Sequence, residues 1–285
     1  MTIVGVGLLG GSAGLALKAH DPRTRVAGVG RRQASLDRAL AVGAIDTAHL
    51  DAAEVVGRTD LVILATPVGA FELHLRRIAP ALRRGAIVTD VGSTKAGVVR
   101  AAGRTLGHGR FVGSHPMAGS ERKGVGFSRA DLFAGATCIL TPTGKTPARV
   151  TRRVERLWQE MRMRTLRMTP AAHDRAVARV SHLPHALASL LMRLPGLRDL
   201  DVSATGFRDA TRLAGGDPEM WRDVFLTNRR QILAAIDDFD EALMVLRDLV
   251  ELGDPAGLAR FFAAAKKRRD ATIAQVIQER RVAFE

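Results

Sequence analysis

The chain has 285 residues, with a hydrophobic fraction of 46% and a charged fraction of 25%; these are values of a folded globular protein and exclude a largely disordered one. The formal net charge is +14, but the arginines are scattered along the chain and aromatic residues make up only 4%, so nucleic-acid binding is not expected as the main function. A single cysteine, Cys138, excludes an internal disulfide framework.

Apolar runs are too short for a membrane protein. None approaches the roughly 18 residues that a membrane-spanning helix needs. The chain also enters a predicted strand at once, without a charged leader before an apolar segment. We therefore expect a cytoplasmic protein with no membrane partner.

The first half of the chain alternates short apolar runs with amphipathic segments. The apolar runs predict strands at residues 2–6, 25–29, 61–65, 86–90, 110–114 and 137–140. Helical spacing occurs between them at residues 12–19, 34–42, 69–82 and 95–106. This alternation predicts an α/β protein with a doubly wound parallel sheet. A loop at 142–147, a helix at 148–161 and a last strand at 164–168 complete the predicted domain, residues 1–169.

Strand-like runs disappear after residue 169, and helical periodicity continues at 171–192, 217–253 and 255–278. Asp-Pro pairs at 217–218 and 254–255 are typical of helix starts, with Asp as the cap and Pro in the first turn. The pattern at 217–253 is longer than an average helix and needs packing partners along its length. Residues 170–285 are therefore predicted to form an all-helical second domain, through which the chain dimerises.

A glycine motif lies between the first predicted strand and helix. Gly5, Gly7 and Gly10 fit the dinucleotide pattern G-x-G-x-x-G. The first glycine permits the tight turn, the second lets the backbone approach a pyrophosphate, and the third allows close packing of helix on strand. Amides at the helix start, including Leu8 and Leu9, would face the phosphates. The motif predicts a Rossmann-type nucleotide site.

The end of the second strand indicates which nucleotide binds. NAD sites usually carry a carboxylate there, which accepts hydrogen bonds from the ribose 2′-hydroxyl. This chain has Gly30, Arg31 and Arg32 instead, followed by Ser35, so that nothing repels a 2′-phosphate and two guanidinium groups can bind it. We predict NADP as the preferred cofactor and NAD as the alternative. Two further residues, Thr66 and Pro67, are assigned to the same site.

Two polar segments follow neighbouring predicted strands, at the carboxyl ends where open α/β sheets bind ligands. One runs from residue 90 to 95 and contains Ser93; the other runs from 113 to 121 and contains His115. Small residues and a proline flank His115, which leaves its imidazole accessible. These features favour a chemical role for His115.

The segment Gly-Ser-His-Pro-Met-Ala-Gly-Ser-Glu at 113–121 resembles the signature of prephenate and arogenate dehydrogenases. The second half carries three further similar segments in the order of that family: Ser-His-Leu-Pro-His at 181–185, Gly-Phe-Arg-Asp-Ala-Thr-Arg-Leu-Ala at 206–214, and Asp-Pro-Glu-Met-Trp-Arg-Asp-Val-Phe-Leu-Thr-Asn at 217–228. The resemblance covers nearly the whole chain. It implies a Rossmann domain, a helical dimerisation domain and oxidative decarboxylation of prephenate or arogenate with hydride transfer to NAD(P)+.

The resemblance also implies roles for individual residues. His115 would accept the proton of the ring hydroxyl, and Ser93 would orient His115 or that hydroxyl. Arg212 would bind a substrate carboxylate, held in position by Asp209 one helical turn earlier. The remaining residues assigned to the substrate are His182, His185, Ser120, Glu121 and Trp221. No metal is required, because aromatisation of the ring drives the loss of CO2.

Two alternatives stay open at this stage. One is another Rossmann reductase with a helical domain, acting on a hydroxy or imino acid; such enzymes commonly use a lysine in the helical domain, and this chain has none between Lys145 and Lys266. The other is a non-catalytic protein that binds NADP or nucleic acid on the same fold. It would be expected to have lost Ser93, His115 or Arg212, all of which are present.

Overall fold

The computed structural model describes residues 1–120 and 122–282, and the backbone alone for 275–282. Eight strands form one sheet. They are β1 (Thr2–Val4), β2 (Ala27–Val29), β3 (Thr47–His49), β4 (Leu61–Leu64), β5 (Ile87–Asp90), β6 (Phe111–Pro116), β7 (Thr137–Thr141) and β8 (Arg164–Arg167). Their order across the sheet is β3-β2-β1-β4-β5-β6-β7-β8. Every predicted strand is confirmed, with small shifts at the ends.

Thirteen helices accompany the sheet in the described part of the chain. They are α1 (Leu8–His20), α2 (Gln33–Ala41), α3 (Ala53–Val56), α4 (Phe71–Ile78), α5 (Ala96–Leu106), α6 (Ala148–Glu160), α7 (Pro170–Val177), α8 (Leu183–Leu191), α9 (Leu197–Leu200), α10 (Thr205–Thr211), α11 (Pro218–Thr227), α12 (Arg229–Glu251) and α13 (Pro255–Val282). The chain forms two compact units, Met1–Arg229 and Arg230–Glu285. The domain boundary predicted at residue 169 stays a prediction.

Both faces of the sheet are buried. Successive residues of a strand point to opposite faces, and in β1 Ile3 and Val4 accordingly join two different apolar clusters. The first cluster includes side chains of α1, α2 and α6, and the second includes side chains of α3, α4 and α5. The predicted doubly wound architecture is therefore confirmed, and the central strands lack polar alternation because they are covered on both sides.

One strand pair of the otherwise parallel sheet is antiparallel. Strands β1 to β6 pair in parallel, but β7 runs antiparallel to β6, and β8 then pairs in parallel with β7. In this pair His115 lies opposite Ile139. The predicted parallel sheet is confirmed for β1 to β6 and for β7 with β8; the reversal of β7 was not predicted, because an apolar run indicates a strand without indicating its direction.

Two predicted helices are interrupted. The segment at 171–192 forms α7, a π-helical turn at Ala178–His182 and then α8, whose first turn contains Pro184. A proline has no amide hydrogen for the helical ladder, which accounts for the irregular turn before it. The segment at 217–253 breaks at Asn228, between α11 and α12. The short elements β3, α3, α9 and α10 were not predicted. In the described part of the chain, none of the helices combines the length and the apolar character that spanning a bilayer requires.

The glycine turn between β1 and α1 lies where the strand order reverses, between β1 and β4. Gly5 has a φ of 99°, and a Cβ there would meet the Ala65 carbonyl oxygen at 2.6 Å. A Cβ on Gly10 would meet the carbonyl oxygen of Gly5 at 2.1 Å. A Cβ on Gly7 would meet nothing within 4 Å. Gly5 and Gly10 therefore allow the turn itself, whereas the side of Gly7 is open.

This contrast predicts different results for two matched substitutions. Gly10→Ala forces the backbone of the turn apart and should lower the free energy of unfolding by roughly 1–3 kcal/mol, the usual cost of overpacking. Gly7→Ala should leave the unfolding free energy within about 0.5 kcal/mol, as at other open positions. Denaturant unfolding of both variants measures this, and equal destabilisation by the two substitutions would contradict the described packing.

Candidate functional site

The residues predicted to bind a nucleotide gather at the carboxyl ends of β1, β2 and β4. Gly7 precedes the first turn of α1, in which Leu8 and Leu9 are half-buried. Thr66 follows β4, and its backbone nitrogen lies 2.7 Å from the position of a Cβ on Gly5. The Thr66 hydroxyl is buried and has no hydrogen-bond partner in the described part of the chain. An open glycine and an unpaired buried hydroxyl at a helix N-terminus fit a phosphate-containing ligand.

The two arginines predicted to bind a 2′-phosphate, Arg31 and Arg32, follow the end of β2. The backbone amide of Gly30 donates to the His49 carbonyl over 3.1 Å, and Arg32 directly precedes α2. Arg31 and Arg32 are exposed, and Ser35 is half-buried in the first turn of α2. Pro67 is exposed after β4. Because neither arginine makes an ion pair with any described residue, both guanidinium groups are available to an anionic ligand.

His115 lies in the last part of β6, which extends two residues beyond the predicted strand end at 114. Its ring is half-buried and meets His173 of α7, with 2.8 Å between Nδ1 of His115 and Nε2 of His173. Burial, together with the nearby basic groups of His173, Lys95 and His182, holds the pKa of His115 well below its usual value. The imidazole is therefore neutral at neutral pH.

His173 in turn contacts Asp174. Its Nδ1 lies 2.8 Å from Oδ1 of Asp174, and both side chains are buried. Asp174 also accepts hydrogen bonds from the backbone amides of Lys95 (2.7 Å) and Ala96 (2.8 Å), at the start of α5. Burial opposes ionisation of this carboxyl, but the bonds from His173 and the two amides outweigh it and lower the pKa of Asp174. A carboxylate, a buried imidazole and His115 thus form one hydrogen-bonded row.

A buried ion pair ties β5 to β6 beneath this row. The Lys95 ammonium contacts the Asp90 carboxylate, and neither side chain is exposed. Lys95 Nζ also donates to the Ser114 carbonyl (2.9 Å), while Asp90 accepts from the Ser114 amide (3.0 Å). Burial raises the pKa of Asp90, and Lys95 opposes that shift. The backbone immediately before His115 is therefore fixed on both sides of Ser114.

Asn228, at the break between α11 and α12, extends the network to the second histidine motif. Its Nδ2 donates to the backbone carbonyl of Asp174 (2.9 Å) and lies 3.2 Å from Nδ1 of His182. An amide nitrogen only donates, so Nδ1 of His182 accepts and its proton sits on Nε2. Burial lowers the pKa of His182 to about 4. His182 is thus a neutral ring with an Nε2–H donor.

His185 and Trp221 form a stacked pair. Their ring centroids are 3.6 Å apart at an interplanar angle of 15°, and His182 meets the same indole edge-on at 6.0 Å. A Cβ on Gly216 would lie 2.4 Å from the indole nitrogen of Trp221 and 2.7 Å from Cε1 of His185, so a glycine is needed there. The structure therefore brings together three residues predicted to bind substrate.

Other predicted site residues are less closely connected. Ser93 is half-buried in the loop before α5, but the ring of His115 is held by His173 rather than by Ser93. Arg212 begins a 3₁₀ turn, Arg212–Gly215, that packs against α8, and its side chain is exposed. Asp209 is exposed as well, and no ion pair joins these two described residues. The predicted support of Arg212 by Asp209 is wrong for this structure, because the helix changes type between them.

The segment after β6 closes against the start of α11. Ser120 is exposed, and its hydroxyl accepts from the Arg122 amide over 3.1 Å. Lys123 forms an ion pair with Asp217, the residue that caps α11 through the Met220 amide. Glu121, predicted to contact substrate, lies outside the described residues.

Sequence reasoning missed four residues of the network: Lys95, His173, Asp174 and Asn228. Each lies within a predicted helix, where a polar residue among apolar ones was the available signal. It did not identify their partners, since the bond from Lys95 to Asp174 spans 79 residues and the one from Asn228 to His182 spans 46.

The depressed pKa of His182 predicts a pH-dependent stability. The unfolded chain takes up a proton near pH ~6.5, whereas the folded chain does so only near pH 4. Folding is therefore weakened as pH falls through this window, by on the order of 3 kcal/mol for a shift of that size. Denaturant unfolding between these pH values should show a shallower loss for His182→Gln than for wild type. His20→Gln, at an exposed position, is the control and should retain the wild-type slope; an unchanged slope in His182→Gln would contradict this assignment.

Two family models match the chain. "Prephenate dehydrogenase, nucleotide-binding domain" matches residues 13–166, and "Prephenate dehydrogenase, dimerization domain" matches residues 169–264. Among curated proteins, the chain is 35% identical to a cyclohexadienyl dehydrogenase of Zymomonas mobilis, over 94% of each chain.

Solved structures agree with these matches. A prephenate dehydrogenase from A. aeolicus, crystallised with hydroxyphenyl propionate and NAD+, superposes with a TM-score of 0.89 at 35% identity, covering 95% of this chain and 97% of that one. An arogenate dehydrogenase from Synechocystis gives a TM-score of 0.83 at 28% identity, covering 95% and 99%. Taken with the glycine turn and the histidine network, these matches establish that the chain belongs to the prephenate dehydrogenase family, with an N-terminal NAD(P)-binding Rossmann domain.

Proposed function

We propose that this protein catalyses the oxidative decarboxylation of prephenate or arogenate with hydride transfer to NAD(P)+, giving 4-hydroxyphenylpyruvate or tyrosine and CO2. Its relatives are named prephenate, cyclohexadienyl and arogenate dehydrogenases. Membership of this family favours an oxidoreductase over a non-catalytic nucleotide-binding protein. Comparison of the turnover of prephenate and arogenate decides between the keto and the amino substrate.

The observation that carries the proposal is the state of His115. Its Nδ1 is engaged by His173, so Nε2 is the nitrogen that remains for a ligand. The ring is neutral at neutral pH because its pKa is depressed, and a neutral imidazole accepts a proton. His115 Nε2 takes the proton of the substrate's ring hydroxyl as the carbon that bears it is oxidised. Loss of the ring carboxylate as CO2 then makes the ring aromatic.

The cofactor site supports the same reaction. The bound nicotinamide supplies the acceptor for the hydride. The chain contributes the open side of Gly7 and the amides of the first turn of α1 for the pyrophosphate. The unpaired hydroxyl of Thr66 supplies a further hydrogen bond at the end of β4.

The substrate side of the site contains a cation, a neutral donor and a flat apolar surface. Arg212 binds a carboxylate of the dianionic substrate, and its exposure leaves the guanidinium free for a bidentate contact. His182 offers Nε2–H without carrying charge. The stacked rings of His185 and Trp221 provide the surface against which the substrate packs. Ser93, Ser120 and Glu121 keep their predicted places as substrate or orienting residues in this proposal, whereas Asp209, which makes no ion pair with Arg212, is given no role.

NADP is proposed as the preferred nucleotide. No carboxylate occupies the end of β2, and Arg31 and Arg32 make no ion pair with described residues. Both guanidinium groups and the Ser35 hydroxyl are therefore available to a 2′-phosphate.

We also propose a homodimer formed through the helical part of the chain after residue 169. The family model over residues 169–264 describes a dimerization domain. Large apolar side chains are exposed there, including Leu194 (77%) and Leu197 (87%) near α9 and Leu252 (80%) after α12. Exposure of this extent is typical of apolar side chains that a partner covers.

A direct assay tests the proposed function. Purified protein is given NADP+ or NAD+ together with prephenate, arogenate or neither, and the reduced nucleotide is followed by its near-ultraviolet absorbance. Turnover with at least one of the two cyclohexadienyl compounds is expected, with little nucleotide reduction in their absence. Full-length folded protein that turns over neither compound with either nucleotide would overturn the proposal.

Substitution of the two principal residues should separate their roles. His115→Asn removes the base and should lower kcat by a factor on the order of 10²–10⁴ with little change in KM. Arg212→Ala removes a charge-assisted contact worth roughly 1.5–3 kcal/mol and should mainly raise KM, about 10- to 100-fold. Arg198→Ala, at an exposed arginine of α9, is the control and should match wild type. The opposite division between kcat and KM would mean that the two roles are exchanged.

A charge placed at the end of β2 should change the nucleotide preference. Gly30→Asp puts a carboxylate near the 2′-phosphate and should lower the NADP/NAD ratio of kcat/KM about tenfold or more, because like charges in contact cost several kcal/mol. Gly30→Asn has the same shape without the charge, which controls for the contact of a new Cβ with Leu36 at 3.1 Å. An equal effect of Asp and Asn would argue against a 2′-phosphate site here.

A further inference from the structure

The contacts around Asp174 determine where protons sit in the row that ends at His115. A carboxylate accepts hydrogen bonds only, so the proton between His173 and Asp174 belongs to Nδ1 of His173. Lys95 N and Ala96 N occupy further acceptor positions of the same carboxylate, on Oδ1 and Oδ2 respectively. Asp174 is therefore held in one orientation by three donors, two of which belong to the backbone and do not titrate.

The tautomer of His173 then sets that of His115. A neutral His173 with its proton on Nδ1 has a bare Nε2, which can only accept. The 2.8 Å contact with His115 is then a bond donated by Nδ1–H of His115. A neutral His115 with its proton on Nδ1 has its lone pair on Nε2, the atom that the proposed reaction needs as a base. The opposite tautomer of His115 would present a donor to the substrate hydroxyl and could not take its proton.

We propose that His173 and Asp174 are positioning residues that hold His115 in its Nδ1–H tautomer and stabilise the imidazolium formed when Nε2 takes the substrate proton. The inference rests on the proposed function for the identity of that proton, but the tautomer is a property of the protein without substrate. The arrangement resembles a serine-protease triad in logic, with a second imidazole placed between the carboxylate and the base.

Without Asp174, the positive charge that His115 gains on protonation would be destabilised by its surroundings. The ring lies in a half-buried strand end, and Lys95, His173 and His182 are the basic groups around it. The anionic groups on the elements packed here are Asp90 and Asp174, and Asp90 is engaged by the Lys95 ammonium. Asp174 is thus the carboxylate linked to His115 by hydrogen bonds, through His173. Its loss should slow the reaction without changing how tightly substrate binds.

The first test reads the tautomer directly. Protein labelled with ¹⁵N in its histidine rings is examined by long-range ¹H–¹⁵N correlation, and the His115 signals are assigned by their disappearance in His115→Asn. Wild-type protein without substrate is expected to show a protonated Nδ1 and an unprotonated Nε2 on His115. A protonated Nε2 on neutral His115 would overturn the inference even if the enzyme turns over prephenate. A correct tautomer in a protein that turns over neither substrate would instead count against the proposed function alone.

The second test uses kinetics of substituted proteins. Asp174→Asn keeps the size of the side chain but removes the charge, and a comparable change in a protease triad lowers kcat by about 10⁴. We expect a fall in kcat on the order of 10²–10⁴, with KM and NADP affinity within about threefold of wild type. Asp46→Asn is the matched control: Asp46 also accepts from a backbone amide, that of Val26, and from Lys18, but touches none of the site residues.

A pair of variants at His173 covers the case in which Asp174→Asn does not fold. His173→Gln retains an oxygen that can accept from Nδ1–H of His115, whereas His173→Leu fills similar space without an acceptor. The glutamine variant should keep a kcat at least about tenfold above that of the leucine variant, at similar melting temperature. Equal kcat values for the two His173 variants would show that His173 and Asp174 do not position His115. A wild-type kcat in folded Asp174→Asn would show the same.

Discussion

The carboxylate of Asp174 lies buried at the amino end of α5, where it receives the amides of Lys95 and Ala96 together with the ring of His173. A charge in the protein interior is tolerated only when such donors replace water, and here the donors outweigh the cost of burial. The same residue offers its backbone carbonyl to Asn228. One amino acid therefore fixes the positions of α5, α7 and the end of α11 relative to each other, and all other contacts of the histidine network depend on that arrangement.

Three distant segments of sequence meet around this residue. The end of β6 brings His115, α7 brings His173, and the break after α11 brings Asn228 against His182. The buried pair of Asp90 and Lys95 sets the backbone of β6 just before His115. The nucleotide turn is built separately, from short-range contacts between β1, α1 and β4, so the two halves of the active region are organised by different physical means: close backbone packing in one and satisfied buried charge in the other.

This difference explains how far sequence reasoning reached. The glycine spacing, the strand alternation and the motif around His115 are local patterns, and they predicted the sheet, the nucleotide turn and the family. The partner of a buried polar residue is not local: His115 and His173 are 58 residues apart, and only the fold brings them together. The helix break at Asn228 was missed for a related reason, because apolar periodicity continues across it while its side chain is engaged by Asp174 and His182. Strand β3 lies at the sheet edge, and its residues Thr47–His49 do not form an apolar run, so no strand pattern was present there.

The ion pair of Lys123 and Asp217 lies on the outside of this region, with the lysine side chain 67% exposed, whereas Asp174 and His173 are shielded from solvent. Dissolved ions screen an exposed pair over a Debye length of about 8 Å at physiological ionic strength, but screen buried pairs much less. Salt therefore acts on the two parts of the region unequally: it loosens the contact between the segment after β6 and the start of α11, and leaves the proton arrangement of the interior histidines unchanged.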